Sequence, residues 1–310
     1  MKKVFIDGSA GTTGLRIFER LSQRNDLLLM TLPEELRKDP AARKQALNSC
    51  DVAFLCLPDA AAIEAVSLIE NDHVTVLDTS TAHRTDPEWA YGFPELGEEY
   101  RQKLLSSKRI AVPGCHASGF IALVAPLVQA VILPKQALLT SHSITVYSGG
   151  GKKMIAEYEA PDCDTLLKAP RQYGLTQQHK HLKEIKAVCG LDVAPVFCPI
   201  VSNFYSGMVM TVPVFSCQLA PGKTVADIKT IYEQMYCGPM VTYKEAMDEE
   251  GFLSGAGLSH KDVMEVCVCG NDERILLMAR YDNLGKGASG AAVQCLNLVL
   301  GCDPTEGLEL

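Results

Sequence analysis

The chain contains no apolar run reaching the ~18 residues that a membrane-spanning helix needs, so no membrane role is expected. It has no block of five or more basic residues, and its 29 Lys and Arg are outnumbered by 37 Asp and Glu, for a formal net charge of −8. Nucleic acid is therefore a poor candidate partner, and a small anionic substrate must be met by local positive charge. Internal repeats and low-complexity tracts are also missing. No secretory signal is read, because Met1-Lys-Lys-Val-Phe-Ile-Asp-Gly opens directly into a strand. A reducing, cytoplasmic setting is expected.

Cysteine, by contrast, is abundant, with 12 in 310 residues. Most lie in apolar runs, among them Cys56, Cys198 and Cys295, and read as small buried hydrophobes. Cys267-Val-Cys269 alternates like a strand and puts both thiols on one face. The two further ligands of a metal site are not nearby, so no metal is expected.

The length and the 47% hydrophobic content suggest two domains with full cores. Residues 1–112 alternate short apolar strands (4–6, 27–32, 52–57, 74–77) with helical stretches (15–21, 41–47, 60–69). That alternation predicts an α/β domain of Rossmann type, a parallel sheet covered on both faces. Later strands, at 141–147, 195–200, 208–215, 263–269 and 275–281, come with fewer helices, of which 224–235 is the clearest. They predict an α+β domain with a mixed sheet. The expected division is 1–114 for dinucleotide binding, 115–286 for catalysis and oligomerisation, and 287–310 as a helix returning to the first domain.

Gly8-Ser9-Ala-Gly11-Thr12-Thr13-Gly14 falls between the first strand and the first helix. In that context glycines allow a tight turn and close backbone approach to a pyrophosphate, while the helix N-terminus supplies N–H donors. The spacing is G-x-x-G-x-x-G, and a plain tight loop is the simpler alternative. The second strand ends Met30-Thr31-Leu32-Pro33 without the acid that usually holds NAD ribose. Arg37, Lys38 and Arg43 follow, which tilts the expectation to NADP against the neighbouring Glu34 and Glu35.

Arg109-Ile-Ala-Val-Pro-Gly-Cys115-His-Ala-Ser-Gly reads as strand, sharp turn and helix start. A thiol at a helix N-terminus meets unpaired N–H groups and the positive end of the dipole, which favour the nucleophilic thiolate. Beside a nicotinamide, such a thiol suggests attack on an acyl group or aldehyde followed by hydride transfer. A histidine would move the proton. His116 adjoins the cysteine, but sequence neighbours often point apart. His179-Lys180-His181 precedes an amphipathic helix and reads either as a site loop or as a solvated helix start.

These motifs, taken with Tyr281-Asp-Asn283-Leu-Gly-Lys-Gly-Ala-Ser-Gly, resemble the short form of the N-acetyl-γ-glutamyl-phosphate reductase family, within the semialdehyde dehydrogenase superfamily. The resemblance implies NADPH-dependent reduction of N-acetyl-γ-glutamyl phosphate to the 5-semialdehyde, a step of arginine biosynthesis. It implies Cys115 as acyl-accepting nucleophile and His179 as acid/base, with His181 as the alternate and Tyr173 near the substrate. It further implies that Asn283 meets the nicotinamide amide, that Ser80 lies at the cofactor, and that Arg84 in Asp78-Thr-Ser80-Thr-Ala-His-Arg84 holds a substrate anion. Related enzymes form dimers or tetramers through the second domain's sheet. The chain departs from the longer family members in two places. His116-Ala-Ser118 replaces Tyr-Pro-Thr, and Pro199 to Gly207 contains no arginine. Lys152, Lys153 or Arg171 would have to supply that charge. Rival readings are an aspartate-semialdehyde dehydrogenase and a non-catalytic NADP sensor.

Overall fold

A computed structural model describes residues 1–310. In chain order the first elements are β1 (Lys2–Asp7), α1 (Thr12–Leu21), β2 (Leu27–Met30), α2 (Pro40–Ser49), β3 (Val52–Leu55), α3 (Asp59–Ser67), β4 (Thr75–Asp78), β5 (Ala90–Tyr91), α4 (Glu98–Ser106) and β6 (Arg109–Ala111). Then follow α5 (Cys115–Gln129), β7 (Thr140–Val146), α6 (Gly151–Glu159), β8 (Arg171–Gln172), α7 (His181–Cys189), β9 (Val196–Ser202), β10 (Met208–Phe215), α8 (Val225–Met235), β11 (Val241–Tyr243), β12 (Met264–Gly270), β13 (Arg274–Tyr281) and α9 (Gly290–Leu300).

The chain divides into two compact units. The first comprises Met1–Gly114 and Ala288–Glu309. Its six strands are all parallel, in the order β2-β1-β3-β4-β6-β5. The central strands β3 and β4 are buried along their whole length, as a sheet covered on both faces requires. One cluster joins Val4, Ile6, Phe54 and Leu77 of the sheet to Ile17 and Leu21 of α1 and to Ala292, Val293 and Leu296 of α9. The opposite face packs Leu47 of α2 and Ala62 and Ala65 of α3 against Phe5, Ala53 and Leu55. The α4 helix was not legible in sequence: of its residues only Leu104 is buried, so it carries no apolar period.

The second unit is Cys115–Gly287 with Leu310. Its seven strands run β11-β12-β13-β10-β7-β9-β8, with parallel pairs β11/β12 and β7/β9 and the rest antiparallel. The sheet is therefore mixed. The α5 helix lies against its inner face and is buried from His116 to Val128. Pro126 cannot donate to the Ala122 carbonyl, and the Tyr236 hydroxyl takes that acceptor at 2.6 Å. The Tyr232 hydroxyl also donates to the Leu123 carbonyl, so side chains of α8 and its C-cap bind α5 around its internal proline.

Candidate active site

The glycine turn is shaped by contacts that no side chain could tolerate. Gly8 has φ +88°, and a Cβ there would collide with the Cys56 carbonyl. A Cβ on Gly14 would collide with the Gly8 carbonyl. The Gly11 N–H closes the turn on Gly8 O at 3.0 Å, and Gly11 is the N-cap of α1. No side chain caps this helix and no acid occupies its first turn. The N-terminus is thus left open for an anion, at the point where the sheet order reverses between β1 and β3. These residues fit a dinucleotide pyrophosphate. Arg43 does not offer its charge to a cofactor, because it is buried against Asp7 (3.0 Å) and Glu64 (2.8 Å). Arg37 pairs with Glu34 at 3.2 Å and lies in the exposed segment after β2, as does Lys38.

Cys115 is the first residue of α5 and is half-buried. Two residues of the 281–290 motif, together with Gly119 of α5, explain its placement. The Tyr281 hydroxyl donates to the Cys115 carbonyl at 2.7 Å. Gly119, one turn along, leaves room for that phenol, since a Cβ there would lie 2.5 Å from its oxygen. Gly287 passes so close that a Cβ would lie 3.2 Å from that of Cys115. Of the other cysteines, burial pushes the Cys50 thiol up to about 11 and the Cys56 thiol up to about 12, which makes them unreactive. None of the 12 forms a disulfide. Cys267 and Cys269 do share a face of β12, with their sulfurs 3.4 Å apart.

Around Cys115 the second unit gathers three imidazoles and a phenol. The thiol and one ring nitrogen each of His116 and His181 lie within 4.8 Å of one another. The His116 ring is 5.6 Å from that of His179 and 5.5 Å from that of His181, and the latter two are 4.9 Å apart. His116 was passed over in sequence because adjacent side chains usually diverge. Here the first turn of α5 turns it into the same cluster. Its Nδ1 meets Ser143 Oγ at 2.7 Å and its Nε2 meets Tyr173 OH at 2.7 Å. Burial, with smaller contributions from His179 and Lys180, pushes His116 down to about 3, so its ring is neutral. Burial raises the Tyr173 hydroxyl far above its ordinary value, with the nearby Cys115 thiol adding to the effect, so the phenol stays protonated. His179 is half-buried, and its Nδ1 accepts the His181 N–H at 3.4 Å. That bond puts any proton of neutral His179 on Nε2. Its pKa is lowered, by burial first and by Lys180 second.

Other residues expected at the site have local partners. Arg84 is buried, and its Nε and Nη2 donate to the carbonyls of Val112 (2.9 Å) and Thr79 (2.8 Å). This geometry suits a brace on the strand leading to the Pro-Gly turn better than a hand for substrate. Ser80 donates to Asp78 Oδ2 at 2.7 Å, and the same oxygen meets His83 Nδ1 at 2.6 Å. Asn283 Nδ2 donates to Ser148 Oγ at 3.0 Å, and its Oδ1 accepts the Gly207 N–H at 3.2 Å. The amide therefore ties β13 to the segments after β7 and before β10. Ser9, Thr12 and Thr13 lie in the glycine turn and the first turn of α1.

Two family models match the chain: the semialdehyde dehydrogenase NAD binding domain over residues 19–104 and the semialdehyde dehydrogenase dimerisation domain over residues 115–283. A Sinorhizobium medicae protein named N-acetyl-gamma-glutamyl-phosphate reductase is 43% identical over 305 residues, covering 96% of this chain and 98% of its own. A protein of the same name from Chelativorans sp. is 44% identical over 305 residues, with the same coverage. Among solved structures, aspartate semialdehyde dehydrogenase II of Vibrio cholerae aligns with a TM-score of 0.73 at 16% identity, over 97% of this chain and 98% of that one. The corresponding enzyme of Francisella tularensis gives 0.71 at 16%, over 97% of this chain and 100% of its own. These structural matches establish the shared fold.

Proposed function

The chain belongs to the N-acetyl-γ-glutamyl-phosphate reductase family, and from that premise we propose that it reduces N-acetyl-γ-glutamyl phosphate to N-acetylglutamate 5-semialdehyde and phosphate, in arginine biosynthesis in the cytoplasm. The observation that carries the reading is Cys115 at the start of α5, ringed by His116, His181 and Tyr173. The Cys115 thiolate attacks the acyl carbon and phosphate departs, leaving a thioester on sulfur. NADPH, when bound over the Gly8–Gly14 turn through Gly8, Ser9, Gly11, Thr12, Thr13 and Gly14, supplies hydride to that acyl carbon. His179 moves the proton: its Nδ1 lone pair, held at rest by the His181 N–H, takes it from the thiol as that long bond is released and returns it to sulfur as the thiohemiacetal collapses. His181, more deeply buried, orients His179 through its backbone N–H. Tyr173 stays protonated, so its hydroxyl can donate to the substrate oxygen when His116 donates to the phenol oxygen. Ser80 is proposed as a cofactor-site residue of the first unit. For Asn283 the proposed role is contact with the nicotinamide amide.

A homo-oligomer formed on the second unit's sheet completes the reading. The outer face of that sheet exposes Ile144, Val196, Phe215 and Leu276 together, an apolar set that a lone domain would not be expected to leave in water.

Trapping the thioester tests the core of the proposal. Intact mass after rapid mixing with N-acetyl-γ-glutamyl phosphate, without NADPH, should show one acyl adduct, absent in Cys115→Ser. Cys115→Ser should also bind NADPH normally while losing at least ~10³-fold in turnover. Near-normal turnover in that variant would sink the assignment. A sensor without catalysis would give NADP binding and no adduct. An aspartate-semialdehyde dehydrogenase would prefer aspartate semialdehyde in the oxidative assay.

A further inference from the structure

Arg171 and Tyr173 are two residues apart at the sheet edge formed by β8. Arg171 pairs with Val201 of β9, and the Tyr173 N–H bonds to the Pro199 carbonyl. Val201 and Pro199 belong to the inner face, which also carries Thr145 and Ser143 in register on β7. Tyr173, Pro199, Ser143 and His116 thus form one row beside Cys115, and Arg171, Val201 and Thr145 form the next. Two residues of strand separate these rows, about 6.6 Å.

Arg171 is held rather than spent. Its Nη2 donates to the Tyr158 hydroxyl at 2.8 Å, and its guanidinium lies 5.4 Å from the centre of that ring, which itself stacks on Tyr147. No carboxylate pairs with it, in contrast to Arg43 and Arg280, whose charges are neutralised by two acids each. Its Nε–H is buried and meets no protein acceptor. Lys152 and Lys153, the other cations considered for this task, are exposed on α6. A fixed, half-buried guanidinium that has only a neutral phenol as partner, with its Nε–H unsatisfied, keeps its charge for an anion that reaches its remaining N–H groups.

We infer that Arg171 binds the α-carboxylate of the substrate, an inference that rests on the reductase reading above. The substrate carries two anions. The phosphate is attached to the carbon that Cys115 attacks and must lie in the first row. The α-carboxylate is separated from that carbon by three saturated carbons, a span that suits the second row.

The test runs the reaction in the oxidative direction with N-acetylglutamate 5-semialdehyde, phosphate and NADP. Arg171→Ala should raise KM for the semialdehyde about 10- to 100-fold. KM for phosphate and for NADP should stay within about twofold, while the melting temperature falls somewhat because the Tyr158 contacts are lost as well, so the split between the KM values is what reports the carboxylate. Arg171→Lys should recover part of the loss, since it restores charge without the fork. The companion probe is 4-acetamidobutanal, which keeps the aldehyde and acetamide but lacks the carboxylate. Wild-type protein should disfavour it, and Arg171→Ala should use it as well as wild type does. A rise in the phosphate KM instead, or an equal loss on both aldehydes, would overturn the inference. If wild-type protein fails to oxidise the semialdehyde at all, it is the reductase reading that falls, and the two failures are distinct.

Discussion

His179 shows how a residue's chemistry is set by neighbours that sequence does not name. Burial and the adjacent Lys180 both disfavour its charged form, so in its proposed role as base it stays competent to lower pH than an ordinary histidine. The acid limb of kcat/KM, measured in the oxidative direction, should therefore lie below the usual ~6.5. Lys180→Gln removes the nearby cation and should move that limb upward, more visibly at low ionic strength because Lys180 is exposed. His179→Ala should cost about 10²- to 10⁴-fold in kcat. A larger loss in the corresponding His181 variant, with its fold intact, would exchange the two roles. His116 was present in the sequence beside Cys115, yet its part in the cluster was illegible. Its partners Ser143 and Tyr173 lie 27 and 57 residues away and are brought to it only by the sheet.

At the scale of elements, α5 and the glycine turn carry the tightest constraints. Tyr236→Phe leaves the Ala122 carbonyl buried opposite Pro126 without its donor. It should destabilise the protein by about 1–3 kcal/mol in urea unfolding, with little effect on cofactor binding. Gly119→Ala forces a methyl against Tyr281 and Met210, where it would lie 2.5 and 2.8 Å from their nearest atoms. Because Tyr281 also holds the Cys115 carbonyl, this variant should lose activity as well as stability, the latter by about 1–3 kcal/mol. The G-x-x-G-x-x-G turn was readable because Gly8 and Gly14 sit where close backbone approach excludes a Cβ. The α4 and α6 helices were not readable. The first buries a single leucine, and the second opens on the last of three glycines and buries a single tyrosine, so neither shows a 3.6-residue apolar period.

For the whole molecule, the first unit draws part of its core from the far end of the chain. Ala291, Ala292, Val293, Cys295 and Leu296 of α9 pack with β1, β3 and α1. Ending the chain at Gly287 would bare Val4, Ile17 and Leu21, and circular dichroism with a melt should report loss of the first unit's cooperative transition. Acid also acts globally. His116 has a folded pKa near 3 against an unfolded value near 6.5, so the unfolded chain binds the proton more tightly. Stability from the neutral, buried ring is full above about pH 6.5 and is lost as pH falls toward 3, at up to about 1.4 kcal/mol per pH unit. Denaturant midpoints taken between pH 7 and pH 4 should fall accordingly, and less so in His116→Asn.

The sequence by itself determined the class of each half, and it singled out the glycine turn and Cys115 as the residues on which the proposed chemistry rests. These rest on local rules: apolar period, glycine geometry, and a thiol at a helix start. The tertiary structure decided which histidines surround Cys115, that Arg84 serves backbone carbonyls, and that Arg171 has a phenol and no carboxylate for its partner. Those outcomes depend on strand register and on which partners compete for each donor. Both follow from pairings such as Ser143 with Pro199 and Arg171 with Val201, across tens of residues that no local pattern encodes.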